Sequence, residues 1–423
     1  MRRLYALLLT LATPLVLAYF AVRGLRDHRY WKRWGERLGW TSPPAGPFDT
    51  LVHAASLGEV NAALPLVRAL LAENPQHPIL VTAFTPTGSQ RIGELFGDQV
   101  AHCYLPLDLP WAISHLLNRT RPSRVIIVET EIWPNLYAQV QNRRIPMLMA
   151  NARLSRQSVN GYQRFSGVIG PALAGVDRIL AQGAKDARRF IECGAQPDRV
   201  ERAGNLKFDI ELSSTLWETG ELLRAGWGVD RPVLVAGSTH EDDEQVLLPA
   251  FLEVLERHPR ALLVLAPRHP ERFARAAQDV AGAGLSFRRR SEGRLPGDAQ
   301  CLVLDTLGEL LSYYAAADVT FVGGTIADIG GHNLLEPAAL GKPLLFGPHT
   351  SNVKETATRL LESGAAHRVL TVKDLRTELV QLFDHPATRD RMGQAGLKLV
   401  RQGRGALEKT MTALDEMGRA PSV

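Results

Sequence analysis

Short apolar runs alternate along this chain with stretches whose apolar residues recur at helical spacing. The runs lie at 50–55, 78–83, 100–105, 124–129, 145–150 and 177–181. Between them, 60–72 and 110–119 each carry one apolar face. Short, nearly continuous apolar runs separated by amphipathic helices predict a parallel sheet covered on both sides. The rhythm breaks at "NLKFDIELSSTLWETGELLRAGWGVD", which is polar and helix-like. It restarts with "PVLVAGS" (232–238), "ALLVLAPRHP" (261–270), "CLVLDT" (301–306), "VTFVGGT" (319–325), "PLLFGPH" (343–349) and "HRVLTV" (367–372). The pattern predicts two doubly wound α/β domains at 45–212 and 222–405, a hinge near 210–228, and a tail at 406–423. Ligands of open α/β sheets sit beyond the carboxyl ends of the strands, so a cleft between two such domains is the expected site.

The N-terminus departs from this pattern. Residues 4–22, "LYALLLTLATPLVLAYFAV", carry no charge, and as a helix they nearly span a bilayer core of about 30 Å. The flank "RGLRDHRYWKRWGERLGW" is basic and aromatic, which suits anionic headgroups and the membrane interface. No tidy cleavage site follows. Residues 1–40 therefore read as a signal-anchor with the chain's body on the cytoplasmic side. An interfacial helix and a cleaved leader are the competing readings. "TSPPAGPF" (41–48) reads as the linker from anchor to domain.

Composition adds limits. With 45% hydrophobic and 22% charged residues the chain is globular, and 423 residues exceed one ordinary core. The net charge of +5 suits acidic lipid or a phosphorylated substrate. Nucleic acid is not favoured, because the interior has no dense basic tract with interleaved aromatics. Cys103, Cys193 and Cys301 form no CxxC pair, which fits a reducing compartment.

Candidate chemistry gathers at strand ends. Glu59 follows the run 50–55, where a helix opens; it either complements the helix dipole or does chemistry. "VIIVETEIWPN" puts Glu129 and Glu131 on one strand face if the strand continues. Lys207, near the hinge, is either functional or an ordinary exposed lysine. "AGSTHEDDEQ" offers Ser238 or Thr239 as a helix cap. A metal site at His240, Glu241 and Asp242 lacks a distinctive spacing. "APRHPERF" places Arg268 and His269 where a phosphate could be gripped. "DTLGEL" could set Gly308 and Glu309 near a base or ribose. In "FVGGTIADIGGHNLLEPAALGKPLLFGPH", Gly330 and Gly331 allow close backbone approach before a helix opening near Asn333, where an anion would be favoured. Glu336 could accept from a ribose diol. Alternatively, Asn333 and Glu336 simply cap the helix. No GxGxxG, P-loop, GxSxG or HExxH motif is present.

Taken in order, "HAASLGEV", "ETEIWPN", "ANARLS", "GNLKFD", "AGSTHEDDE", "APRHPERF", "DTLGEL" and "GGTIADIGGHNLLEPAALGKPLLFGPHTSN" resemble the motifs of the Kdo (3-deoxy-D-manno-octulosonic acid) transferases of lipopolysaccharide assembly. The resemblance runs from the anchor to about residue 405. It implies a GT-B fold, two Rossmann-like domains facing a central cleft. It implies inverting transfer of Kdo from CMP-Kdo to a lipid A precursor at the bacterial inner membrane, with no cofactor and no metal. Glu59 would be the general base. One of Glu129 and Glu131, with Glu129 preferred as nearer the strand end, would stabilise the transition state with Lys207. Pro267, Arg268, Leu307, Gly308, Glu309, Asn333, Leu334, Leu335 and Glu336 would hold CMP, together with His269, Gly330 and Gly331. Leu307 stands where the family pattern leads one to expect Met. The rival readings are a GT-B transferase or epimerase using a UDP-sugar, and a membrane-tethered nucleotide-binding module without catalysis.

Overall fold

A computed structural model describes residues 1–73, 76–210, 212–293 and 295–419. The chain forms two compact units, Met1–Asp209 with Gly403–Val423, and Ile210–Gln402.

The first unit holds seven parallel strands: β1 (Thr50–His53), β2 (Ile79–Ala83), β3 (Ala101–Tyr104), β4 (Arg124–Val128), β5 (Met147–Ala152), β6 (Arg178–Ala181) and β7 (Val200–Arg202), in the order β3-β2-β1-β4-β5-β6-β7. The order reverses between β1 and β4, whose register runs from Thr50 beside Arg124 to His53 beside Ile127. Alternation along the strands splits the core in two. Leu51, Val125 and Ile127 face one layer, with Leu136 and Tyr137 of helix α3 (Pro134–Asn142). Val52, Ile126 and Val128 face the other, with Val60, Leu66 and Val67 of helix α2 (Leu57–Glu73). Each such side chain, fully buried, contributes about 1.5–3 kcal/mol.

The second unit repeats the architecture with β8 (Val233–Thr239), β9 (Leu262–Pro267), β10 (Phe287–Arg289), β11 (Cys301–Val303), β12 (Val319–Val322), β13 (Leu344–Phe346) and β14 (Ala366–Arg368), in the order β10-β11-β9-β8-β12-β13-β14. Its switch lies between β8 and β12. Helix α4 (Glu241–Leu255) follows β8, and the five-residue helix α5 (Leu335–Ala339) precedes β13.

Three features differ from the sequence reading. Strands β7 and β10 are short edge strands, "VER" and "FRR", whose polar composition hides them from an apolar-run criterion. The expected tail forms a helix, Ala406–Arg419, that clusters with the first unit. Ala406, Ala413 and Leu414 are buried in the layer of α2, and Asp209 caps the helix by accepting from Gly405 N at 2.7 Å and Leu407 N at 2.8 Å. The segment 41–48 is docked rather than loose: Gly46 N donates to Arg119 O, Phe48 N donates to Thr120 O, and Phe48 is buried.

Helix α1 (Arg2–Arg26) is long and apolar enough to cross a membrane; one face is exposed, while Leu9, Val16 and Leu17 are partly buried against the first unit and Tyr5 OH donates to Asp108 Oδ2 at 3.1 Å. Its end is fastened to the first unit. Arg37, fully buried, donates from Nη1 to Phe84 O at 2.7 Å. Its guanidinium lies 4.0 Å from the Tyr104 ring, 4.8 Å from Phe20 of α1 and 5.4 Å from Phe84. A cation among ring faces recovers part of the hydration it has lost.

Candidate active site

The first unit's site grows from the β1/β4 switch. After β1 the chain passes Ala54 and Ala55 and enters α2 at Leu57, so Glu59 stands in the first helical turn. Its Oε2 accepts from Ala55 N at 2.5 Å, and Ser56 Oγ accepts from Glu59 N at 3.4 Å. Glu59 is thus both a charge at a helix start and a carboxylate just beyond a strand end.

The adjacent strand β4 stops at Val128. Glu129 takes a left-handed backbone, φ 62°, which a non-glycine residue adopts only under constraint. This corrects the expectation that Glu129 and Glu131 share one strand face, because the strand does not continue through them. Glu129 Oε1 lies 3.5 Å from Lys207 Nζ and accepts from Asn151 Nδ2 at 3.4 Å. Asn151, itself at φ 54° and buried, also accepts from Leu206 N, so one side chain braces Glu129 and the turn that carries Lys207. Glu131 turns elsewhere. Its Oε2 accepts from Trp133 Nε1 at 2.8 Å and lies 3.8 Å from His53 Nε2. That distance is beyond hydrogen-bond range, and His53 Nε2 has no hydrogen-bond partner among the described residues.

These placements set the electrostatics. Burial first, then the charges of Glu131 and Glu129, pushes the Glu59 carboxyl up to about 8, although the Ala55 and Ser56 N–H groups pull it down. Burial also acts to raise Glu131, but His53 and Trp133 outweigh it and hold that carboxyl below its ordinary value. Two neighbouring carboxyl groups are driven apart, one toward a proton acceptor near neutral pH and one toward a fixed anion.

In the second unit, Pro267 ends β9 and Arg268 N donates to Thr239 O. The Arg268 side chain is half-buried and makes no hydrogen bond or ion pair among the described residues. His269 is exposed. Leu307 is 69% exposed. Gly308 has φ 86°, and Glu309 is held by Arg290 Nη2 at 2.9 Å and by the Thr306 hydroxyl. Gly330 and Gly331 both have positive φ, and a Cβ on Gly330 would stand 2.4 Å from Ser351 Oγ.

The helix expected near Asn333 begins at Leu335, with Leu334 at the cap position and no side-chain cap bond. Asn333, one residue earlier, accepts from Leu335 N with its Oδ1 and donates from Nδ2 to Glu336 Oε1 at 3.0 Å, so the pair braces the turn before the helix without forming the expected cap. Leu334 and Leu335 are buried, so only their backbone can face a ligand.

Sequence reasoning missed the residue that organises this loop. Asp243, fully buried, accepts from Gly324 N at 2.7 Å, Ile326 N at 2.9 Å, Ala327 N at 3.1 Å and His240 N at 2.9 Å. The cap of α4 is accordingly His240, not Ser238 or Thr239. Glu241 is taken by Arg272 at 2.9 Å, and no metal-ligating cluster of three or more such side chains occurs among the described residues. His53, Trp133 and Asn151 were likewise quoted in motifs without a role. His53 and Asn151 meet partners that are distant in the chain, so local spacing gave no signal for them, whereas Trp133 bonds Glu131 within its own motif.

Residues 32–210 match the family model described as 3-deoxy-D-manno-octulosonic-acid transferase (kdotransferase). The chain is 37% identical over 420 residues to a Haemophilus influenzae 3-deoxy-D-manno-octulosonic acid transferase, covering 98% of each. It is 38% identical over 434 residues to a Bordetella pertussis protein of the same description, covering 98% of this chain and 99% of that one. Among solved structures, Acinetobacter baumannii MurG aligns with a TM-score of 0.54 at 14% identity, over 88% of this chain and all of that one. That likeness concerns the fold alone.

Proposed function

This chain belongs to the 3-deoxy-D-manno-octulosonic-acid transferase family, and from that premise we propose that it transfers Kdo from CMP-Kdo to the lipid A precursor (lipid IVA), with inversion at the anomeric carbon. The observation that carries this reading is Glu59 at the β1/β4 switch, raised to about 8 beside Glu131 and Glu129. A carboxylate with that proton affinity can take the proton of an acceptor sugar hydroxyl near neutral pH. The oxygen then attacks the anomeric carbon from the face opposite the leaving CMP.

The leaving phosphate gains charge as its bond breaks. Arg268 and the backbone of the glycine-rich segment around Gly330 and Gly331 are assigned to it, with Glu309 and Glu336 toward the nucleoside. Lys207 is assigned to developing negative charge, and Glu129 holds its ammonium in place. The protein's own groups supply all of this stabilisation, and the reading assigns no role to a metal or cofactor. Helix α1 and its basic, aromatic flank are assigned to the inner membrane. There they hold the enzyme at its lipid acceptor on the cytoplasmic face and raise its effective concentration.

The test is purified full-length protein with CMP-Kdo and a tetraacyl lipid A precursor, read by product mass. A mass gain of one or more Kdo units is expected. Transfer from UDP-GlcNAc but not from CMP-Kdo would overturn the reading.

A further inference from the structure

Helix α1 is two-faced along its whole length. One face is docked on the first unit. Leu9, Val16, Leu17 and Phe20 pack in a cluster with Leu107, Leu109 and Ala112. Near the start of the helix, Tyr5 OH donates to the buried Asp108, and a Cβ on Gly167 would stand 3.1 Å from Met1 Cγ. Near its end, Gly24 is buried and Trp31 folds back to donate from Nε1 to Ala21 O at 2.9 Å. Tyr5, Leu9, Val16, Phe20 and Gly24 recur at helical spacing, so the docked face is continuous. From Tyr5 to Gly24 it runs roughly 30 Å.

The opposite face is a stripe of Leu4, Leu8, Leu11, Leu15, Val22 and Leu25, each more than half exposed. Arg2 and Arg3 stand at one end of it, Arg23 and Arg26 at the other, with no acidic residue between. The side chains of Arg2, Arg3 and Arg26 make no ion pair or hydrogen bond among the described residues. Asp27, just past the helix, is taken by Arg29 at 2.9 Å. A second copy laid stripe to stripe would bring arginines together without carboxylates between them. Anionic headgroups match the same charges.

A helix that crosses a bilayer meets lipid on every side through about 30 Å of hydrocarbon. Docked as it is, α1 could cross only by drawing the first unit, with the Asp108 carboxylate beside it, into that layer. Undocked, it would leave Leu107, Leu109 and Ala112 facing water and break the Tyr5–Asp108 bond. It would also take Phe20 away from Arg37. A helix lying in the interface needs neither change, because it buries one face only, about 5–10 Å deep.

We propose that α1 lies flat in one leaflet of an anionic bilayer. Its leucine stripe enters the acyl chains, its arginines meet the headgroups, and both of its ends stay on the side of the catalytic body. The inference rests on the membrane assignment above and adds the orientation of the helix. A spanning helix would only tether the enzyme; a flat helix docked along its length fixes how the first unit faces the surface.

The experiment uses the full chain. Cys103, Cys193 and Cys301 are buried, so a membrane-impermeant maleimide labels an added surface cysteine selectively. Arg3→Cys and Arg26→Cys variants made in bacteria are labelled in spheroplasts and in inverted inner-membrane vesicles. Both are expected to react in inverted vesicles and neither in spheroplasts. Arg3→Cys reacting in spheroplasts while Arg26→Cys reacts in inverted vesicles would show a spanning helix and overturn the proposal, leaving the membrane assignment intact.

Flotation of purified protein tests the stripe and its arginines. Binding to phosphatidylcholine vesicles is expected to strengthen at least about tenfold when phosphatidylglycerol is included. The double variant Leu11→Asp, Leu15→Asp should weaken it by a similar factor. Equal binding to both compositions, or unchanged binding by a double variant that melts like wild type, would overturn the proposal. Protein that floats with neither vesicle overturns the membrane assignment, and the proposal with it. In that case, disulfide dimers of Leu15→Cys in lipid-free solution would assign the stripe to a second copy instead.

Discussion

Lys207 Nζ stands 3.5 Å from Glu129 Oε1, while Glu131, two positions further on, faces His53 and Trp133. The ETE motif therefore supplies two carboxylates with different partners. If the Lys207–Glu129 pair serves the transition state, Lys207→Ala and Glu129→Gln should each lower kcat by about 10²–10³. The double variant should lose less than the product, since the pair acts as a unit. Lys207 is 30% exposed, so the stability change should stay within about 1 kcal/mol. A double-mutant cycle on transfer rates checks this, and wild-type kcat in Lys207→Ala would sink it.

Glu59→Gln keeps an oxygen able to accept from Ala55 N but cannot accept the acceptor's proton. Transfer should fall about 10²–10⁴-fold, the usual worth of a general base. CMP binding should be unchanged, since CMP is assigned to the other unit. Steady-state rates and calorimetry with CMP separate the two effects.

The raised Glu59 carboxyl gives a signed pH dependence. Activity should rise with pH through about 8, as the base loses its proton. Stability runs the other way: the native group binds a proton that the unfolded chain, with an ordinary value of 4.5, has released, so this group's contribution falls between those two values as pH rises. Glu131→Gln removes a like charge and should move the acid limb of the kcat profile to lower pH. An unmoved limb would show that Glu131 does not tune the base.

Asp243→Ala would strand four backbone N–H groups, three of them in the glycine-rich loop. A loss of about 2–4 kcal/mol is expected from denaturant unfolding, together with a raised KM for CMP-Kdo. Asp243→Asn should recover part of both, because its carbonyl oxygen still accepts.

Among the described residues, Arg37 Nε and Nη2 have no hydrogen-bond partner, although the side chain is fully buried. Burial is the main cause that pulls its guanidinium below the ordinary value. Arg37→Met should be neutral or stabilising, since a similar volume replaces a costly charge. Arg37→Ala should cost about 2–4 kcal/mol by leaving a cavity against Phe20, Phe84 and Tyr104. Melting of the two variants side by side distinguishes the contributions of charge and volume.

Much of this protein was legible in its sequence. Strands buried on both faces must be apolar at nearly every position, so the central strands announce themselves as runs, whereas the edge strands β7, β10 and β14 ("AHR") do not, and the breaks between runs place Glu59, Glu129, Arg268 and the glycine-rich loop at strand ends. The N-terminal helix shows itself by length and lack of charge. Tertiary structure decided what local periodicity cannot carry. Strand order, set by long-range pairing, makes β4 the neighbour of β1 and β12 the neighbour of β8. A left-handed turn at Glu129 separates two carboxylates that alternation alone would have put side by side. Folding brings His332 to His240 across 92 positions and Asp243 to a loop more than eighty residues away. It also returns 406–419 to the first unit. A side chain's spacing along the chain fixes which face of its element it occupies; which partner waits there depends on how the elements are ordered in the sheet.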